Sequence, residues 1–404
     1  MPSTDDALPP PLDGRADGTF VHDTIAVRWP RIARGILKNN AYPAAVEDRL
    51  QALIDDLPEG TIRPLDDPAA PDAALWNERL APFVGETWRT CPWFVGETYF
   101  YRRIMEALGA VRPGPPTTPD PFRAEKRAGY RSSIDAIRTL ADVRARAGDD
   151  PVEAHAHLAR LLSVALWGNQ ADLSMWAADA DGPDHLSTGE EDAHLLADDT
   201  EAVLDHLTAL ERPARIDVWA DNAGFELVTD LALVDGLLDS GTAGTVVLHL
   251  KAHPTFVSDA TVPDVHETLD RLGADAHAAT AALGGRLREA LRTGALRLRD
   301  AWTWTSPLRG REFPRSVTAE LARADLVVSK GDANYRRLLG DREWAFTTPF
   351  ERVVDYFPAP LLALRTLKAE TVAGLDRDQV ERVQAADPDW LVNGRWGLIQ
   401  FAPA

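Results

Sequence analysis

The spacing of apolar positions changes character near the middle of the chain. Between Asp23 and Asn169 it is helical: Val46, Leu50, Leu53 and Ile54 share one face of Ala44 to Leu57, and Trp93 to Leu108 repeats the pattern with aromatic residues. A long stretch, Pro121 to Ala147, carries Ile134, Ile137, Leu140 and Val143 at i, i+3 spacing and reads as helical, and Pro151 stands where a proline is tolerated at a helix start. Residues 1–175 are therefore expected to form an α-helical domain. From Ala177 to Asp199 the chain is acidic, rich in Gly and Asp and without period, so residues 176–200 read as a linker or mobile loop. Beyond it, short apolar or β-branched runs alternate with amphipathic ones. Arg215 to Ala220, Thr245 to Lys251, Ala295 to Leu298, Leu326 to Lys330, Leu361 to Thr366 and Trp396 to Phe401 predict strands. Phe225 to Leu238, Asp264 to Leu272, Ala278 to Thr293 and Val317 to Ala324 predict the helices between them. This alternation makes residues 201–404 an α/β domain, a mostly parallel sheet with helices on both faces.

Composition narrows the partners. The 404 residues are 45% hydrophobic and 26% charged, close to the globular average, which excludes wholesale disorder and a membrane-spanning bundle. With 43 Lys+Arg against 63 Asp+Glu the net charge is −20, a field that repels phosphate backbones and anionic lipid. Neither nucleic acid nor a membrane is expected as a partner, and nothing in the pattern indicates an oligomeric state. The single cysteine, Cys91, forms no internal disulfide. Met1 to Thr19 is acidic, without the basic and apolar segments of a signal peptide, and the expectation is a cytoplasmic protein.

In open α/β sheets ligands bind beyond the carboxyl ends of the strands, and the residues just after the predicted strands are polar. Asp221-Asn222-Ala223-Gly224-Phe225-Glu226 follows the first; His253, Ser258 and Asp259 lie after the second; Lys330-Gly331-Asp332-Ala333-Asn334-Tyr335 and Arg365-Thr366-Leu367-Lys368 close later ones. Asp221, Asn222 and Asp259 form an all-oxygen donor set suited to Mg²⁺, Mn²⁺ or a related divalent ion, with open positions left for water and a phosphate. The same Asp-Asn-Ala-Gly run is also a good helix N-cap. Lys330 and Lys368 are candidates for gripping a phosphate, although an isolated lysine is more often a solvated charge. Gly331 permits close backbone approach at the start of a helix. The chain contains no P-loop, no G-x-G-x-x-G, no G-x-S-x-G and no H-E-x-x-H.

Taken together, Asp221 to Leu231, Ser329 to Arg336 and Arg365-Thr366-Leu367-Lys368 resemble the signatures of the damage-control phosphatases. The last run matches the R-T-x-K motif of their carbohydrate-phosphate subfamily, whose human member is also described as an acidic-residue methyltransferase. Trp93 to Tyr99, Leu166 to Ser174, Phe256 to Asp259 and Trp304 to Pro307 extend the likeness over most of the chain. The resemblance implies a helical domain on an α/β domain, a divalent metal (Mn²⁺, Ni²⁺, Co²⁺ or Mg²⁺) held by Asp221, Asn222 and Asp259, and hydrolysis of sugar phosphates such as fructose 1-phosphate or fructose 6-phosphate. It further implies Glu226 near the metal, Lys330, Gly331, Asp332, Asn334 and Tyr335 at the substrate, Lys368 on the phosphate, and Asn169 and Asp172 closing the pocket. A water activated by Asp221 or Asp259 is the preferred nucleophile, with direct attack by Asp221 as the rival. Two other functions stay open: methyl transfer from S-adenosylmethionine to protein carboxylates, and metabolite binding without catalysis.

Overall fold

In the computed structural model, which describes residues 8–112, 118–146, 151–168 and 193–403, seven strands form one sheet in the order β1-β7-β6-β5-β2-β3-β4. They are β1 (Leu195–Asp198), β2 (Ala214–Trp219), β3 (Ala243–Lys251), β4 (Leu296–Ala301), β5 (Leu326–Lys330), β6 (Leu361–Thr366) and β7 (Gly397–Ala402). Neighbours run parallel except β6 and β7, so the sheet is mostly parallel as expected. Every residue of β5, β6 and β7 is buried, the mark of a sheet covered on both faces. All six predicted strands are present. The seventh, β1, falls at the end of the stretch read as linker: four residues with only Leu196 buried carry too little period to be seen. Residues 176–192 of that stretch, and Asn169 and Asp172 before it, lie outside the described residues.

The helical stretch from Pro121 to Ala147 holds two helices, Arg123–Ser132 and Ile134–Ala145. Ser133 breaks it, adopting φ −107° and ψ 16° while the hydroxyls of Ser132 and Ser133 both donate to the Gly129 carbonyl at 3.1 and 3.0 Å. Such local bonds compete with the helical ladder.

Apolar side chains gather in three cores. One lies within the N-terminal helices, built on Trp29, Trp76, Trp88, Trp93 and Phe100. A second fills one face of the sheet and takes in Ile137, Leu140, Leu158 and Leu161, so the helices from Ile134 to Trp167 pack on the sheet. The third, around Trp219, Trp304, Phe313 and Leu338, fills the other face. The N-terminal helices are joined to the α/β part through buried charge. Arg336, from the helix Asp332–Leu339, pairs with Glu97 and with Asp341 (2.7 Å), and its guanidinium lies 3.5 Å from the Trp93 ring centroid. No helix among the described residues is long and apolar enough to cross a membrane.

Candidate active site

A cleft of about 270 Å³ opens where β2, β5 and β6 end and the N-terminal helices meet them. Asp221, Asn222, Glu226, Asp259, Gly331, Asp332 and Lys368 line it from the sheet side. Trp93, Glu97 and Arg28 line it from the helical side. The sheet order changes direction at β2, between β5 and β3, and this is the switch point where α/β sheets bind ligands. A larger groove, about 640 Å³, lies at the amino ends of β2 and β3 around Pro213 and Thr242, away from these carboxylates.

Asp221 and Asp259 are brought together by backbone pairing. Asn222 and Asp259 form an isolated antiparallel bridge, the Ala260 amide donates to the Asp221 carbonyl (2.7 Å), and the Ala223 amide donates to that of Ser258 (2.7 Å). The capping alternative for Asp221-Asn222 falls away, because Gly224 occupies the N-cap of the helix Phe225–Asp239 and no side chain bonds there. Gly331 is required for another reason. Its φ is +82°, and a Cβ at this position would sit 1.9 Å from Asp221 Oδ2.

Burial holds the Asp221 carboxyl well above the usual carboxylate range, and the negative charges of Asp259 and Glu226 push it further. Asp259 is raised too, chiefly by burial, but Lys251 beside it at 2.8 Å opposes the shift. Asn222 Nδ2 donates to Asp221 Oδ2 (2.9 Å) and Glu226 Oε2 (2.8 Å), while its Oδ1 accepts from the Ser258 hydroxyl. The amide hydrogens thus stand where positive charge is most favoured. A half-turn of the amide would present Oδ1 there and leave Ser258 satisfied, since a hydroxyl accepts as well as donates. The donor set therefore fits a hard or borderline divalent cation. Among the described residues no group of three His, Cys, Asp or Glu side chains is arranged to hold a metal. An ion would rest on the two carboxylates and the amide.

The loop before Asp259 is strained. Phe256 and Val257 have φ of 47° and 69°, a region unfavourable for an aromatic and worse for a β-branched residue. Phe256 is held by Tyr101 of the N-terminal core, ring centroids 5.1 Å apart. The helical core thus helps to place a site carboxylate.

The R-T-x-K run divides its labour. Arg365 is buried, with Nε on Asp332 Oδ1 (2.9 Å), Nη2 on the Ala369 carbonyl (3.0 Å) and Nη1 on that of Thr371, so it fastens the loop that carries Lys368. The Lys368 amide donates to the same Asp332 oxygen (3.1 Å), and its side chain lines the cleft.

Lys330, Asn334 and Tyr335 are not in the cleft wall. Asn334 Nδ2 donates to the Ala220 (3.2 Å) and Lys330 (2.9 Å) carbonyls, and the Tyr335 hydroxyl to Gln400 Oε1 (2.8 Å). Lys330 Nζ lies 3.0 Å from Asp230 and 3.4 Å from Glu226 and donates to the Ala165 carbonyl, fully shielded from solvent. Burial raises Asp230 to about 7 despite that lysine. Lys330→Met is expected to cost about 3–5 kcal/mol near pH 8, the penalty for unpairing buried charge. The loss should shrink toward about pH 5, below the raised pKa of Asp230, because a raised carboxylate costs stability only above its ordinary pKa. Denaturant unfolding at both pH values measures it; a lysine serving the phosphate would leave stability unchanged.

Lys251, Arg28 and Glu97 were not singled out from sequence as site residues. Lys251 left a sign as a lysine closing an apolar strand run, and Glu97 lies within the Trp93 to Tyr99 run of the family likeness; Arg28 left none.

Carboxylates and a lysine thus converge at the switch point of a mostly parallel α/β sheet. Residues 24–383 match the model of the damage-control phosphatase ARMT1-like domain, and the chain belongs to this family. It is 33% identical to "Damage-control phosphatase ARMT1" of Danio rerio over 98% of this chain and 97% of that one. It is 36% identical to the protein of the same name from Xenopus laevis, over 82% of this chain and 81% of that one. Among solved structures it is similar to a DUF89 family protein from Pyrococcus horikoshii, with a TM-score of 0.49 and 15% identity over 93% of this chain and 95% of that one.

Proposed function

We propose that the chain hydrolyses phosphate monoesters of small sugars, of the fructose 1-phosphate or fructose 6-phosphate type, with a divalent cation held by Asp221, Asn222 and Asp259. The observation that carries this reading is the convergence in one cleft of a buried carboxylate, Asp221, crowded by the negative charges of Asp259 and Glu226, and a lysine, Lys368, whose positive charge acts on Asp221 without forming a salt bridge among the described residues. When bound, the ion neutralises charge on the phosphoryl oxygens. The chain's own residues supply the rest. Asp332 and Arg365 fix the loop that aims Lys368, Glu226 holds the Asn222 amide, and Lys251 stabilises the Asp259 carboxylate. The cleft lies just under the roughly 300–1,000 Å³ range of drug-sized sites, which suits a small metabolite. It has little room for an adenosyl cofactor beside a protein carboxylate, and the loop after β2 has only Gly224 in place of a glycine-rich run.

A panel of phosphate esters assayed with Mg²⁺, Mn²⁺, Co²⁺ and Ni²⁺ tests the reading. Chelation is expected to silence phosphate release, with Mn²⁺, Co²⁺ or Ni²⁺ restoring it at least as well as Mg²⁺, since a neutral amide donor does not demand the hardest ion. Because burial makes the Asp221 carboxyl bind a proton more tightly than an ordinary carboxylate and an ion must compete with that proton, apparent metal affinity should rise with pH. Undiminished activity in excess chelator refutes the metal. Absence of phosphate release from every ester refutes the hydrolase.

A further inference from the structure

The charges around the cleft mostly cancel in pairs: Glu97 with Arg336, Glu226 with Lys330, Asp259 with Lys251, Asp332 with Arg365. Among the described residues, two cationic side chains of the cleft, Lys368 and Arg28, form no salt bridge, and of the two it is Lys368 whose charge acts on Asp221. Arg28 comes from the N-terminal helices, in a segment where no family motif was recognised.

Its position has a structural cause. Thr24–Arg28 is a π turn, closed by the Trp29 amide donating to the Thr24 carbonyl five residues back. Pro30 follows it. Proline has no N–H to give the Ala26 carbonyl, and its ring would press on that carbonyl in a regular helix, so a wider turn relieves both. Such turns insert one residue into a helix and re-aim side chains, and they are frequent at functional sites. Ile25 and Trp29 anchor the turn in the core, with Trp29 stacked on Phe100 at 5.2 Å between ring centroids. Arg31 and Arg34 follow on the same helix and are also exposed, yet neither lines the cleft.

We propose that Arg28 is a substrate-contacting residue that captures the phosphate group from the helical wall of the cleft, while Lys368 holds it from the sheet side. The proposal rests on the phosphatase reading. A phosphate monoester carries nearly two negative charges at neutral pH, and a guanidinium can engage two of its oxygens at once. Because Arg28 is exposed, its contact forms with the bound substrate and persists unchanged in the transition state. It should therefore act on KM, weaken with salt, and leave kcat nearly untouched.

The test uses the full chain with Mn²⁺, p-nitrophenyl phosphate as substrate and inorganic phosphate as ligand. Arg28→Ala should raise KM about tenfold with kcat within about threefold, the effect of losing one partly solvated charged hydrogen bond. Inorganic phosphate should lose the same factor in calorimetry, Arg28→Lys should recover most of it, and Arg31→Ala should change nothing. An unchanged KM and phosphate affinity in Arg28→Ala would return this arginine to the solvent, and a fall in kcat alone would contradict a capture role. If the parent protein hydrolyses no ester, the phosphatase reading fails, and phosphate calorimetry still decides whether Arg28 binds the anion.

Discussion

Asp221→Asn is expected to abolish phosphate release and at the same time raise the melting temperature measured in chelator. Both follow from one carboxylate. Asp221 is 6% exposed, and burial with the charges of Asp259 and Glu226 holds it far above its ordinary range. The unfolded chain ionises this group freely, so above the ordinary carboxylate pKa the folded state bears a cost that a neutral amide removes. The amide oxygen still accepts from Asn222 Nδ2, which keeps the local hydrogen bond. Catalysis has no such substitute. Losing a ligand carboxylate should exceed the roughly 10- to 100-fold typical of an outer partner of a ligand, and about a thousandfold in kcat/KM is expected. Near-parental turnover would remove Asp221 from the metal set. A lower melting temperature in chelator would make its charge structural. Asp259→Asn should behave differently: Asp259 is 1% exposed and paired with buried Lys251, so the change strands a lysine and lowers stability along with activity.

The contrast between these two acids shows what a sequence exposes and what it hides. Residue types at the strand ends announced Asp221, Asn222, Glu226, Asp259, Gly331, Asp332 and Lys368, and these do meet in one cleft. Lys330, Asn334 and Tyr335 share a motif with Gly331 and Asp332 but face the interior, because side chains alternate along a strand and turn about a helix. Proximity in a motif therefore did not mean proximity to the ligand. Apolar runs marked six strands, since a buried parallel strand is apolar at nearly every position. The short β1 and the break at Ser133 depend on partners distant in the chain or on hydroxyl bonds, which no periodicity encodes. Helical spacing likewise announced the helices from Ile134 to Trp167 without saying which core they join. Arg28 and Lys251 reach the site only through tertiary packing.

Lys368 is where the remaining large effect is expected. Its backbone is fixed by Asp332, which Arg365 holds in turn, and Gly394 lies against its stem, where a Cβ would approach Lys368 Cε to 3.3 Å. The side chain is thus aimed by packing with its charged end toward the cleft that holds Asp221, the arrangement of a preorganised donor. A donor that strengthens its contact as charge shifts in the transition state contributes about 2.7–4 kcal/mol, so Lys368→Ala should lower kcat/KM on a sugar phosphate roughly a hundred- to a thousandfold. Unlike Arg28→Ala, most of that loss should appear in kcat. Lys368→Arg should rescue poorly, since a planar fork cannot take the place of a compact ammonium. The fold should survive both changes because the charged end forms no salt bridge among the described residues and acts on the cleft carboxylate Asp221. Steady-state kinetics decides the matter: a change below about threefold in Lys368→Ala would assign this lysine to solvent. The Arg365 anchor would then serve only to hold a loop.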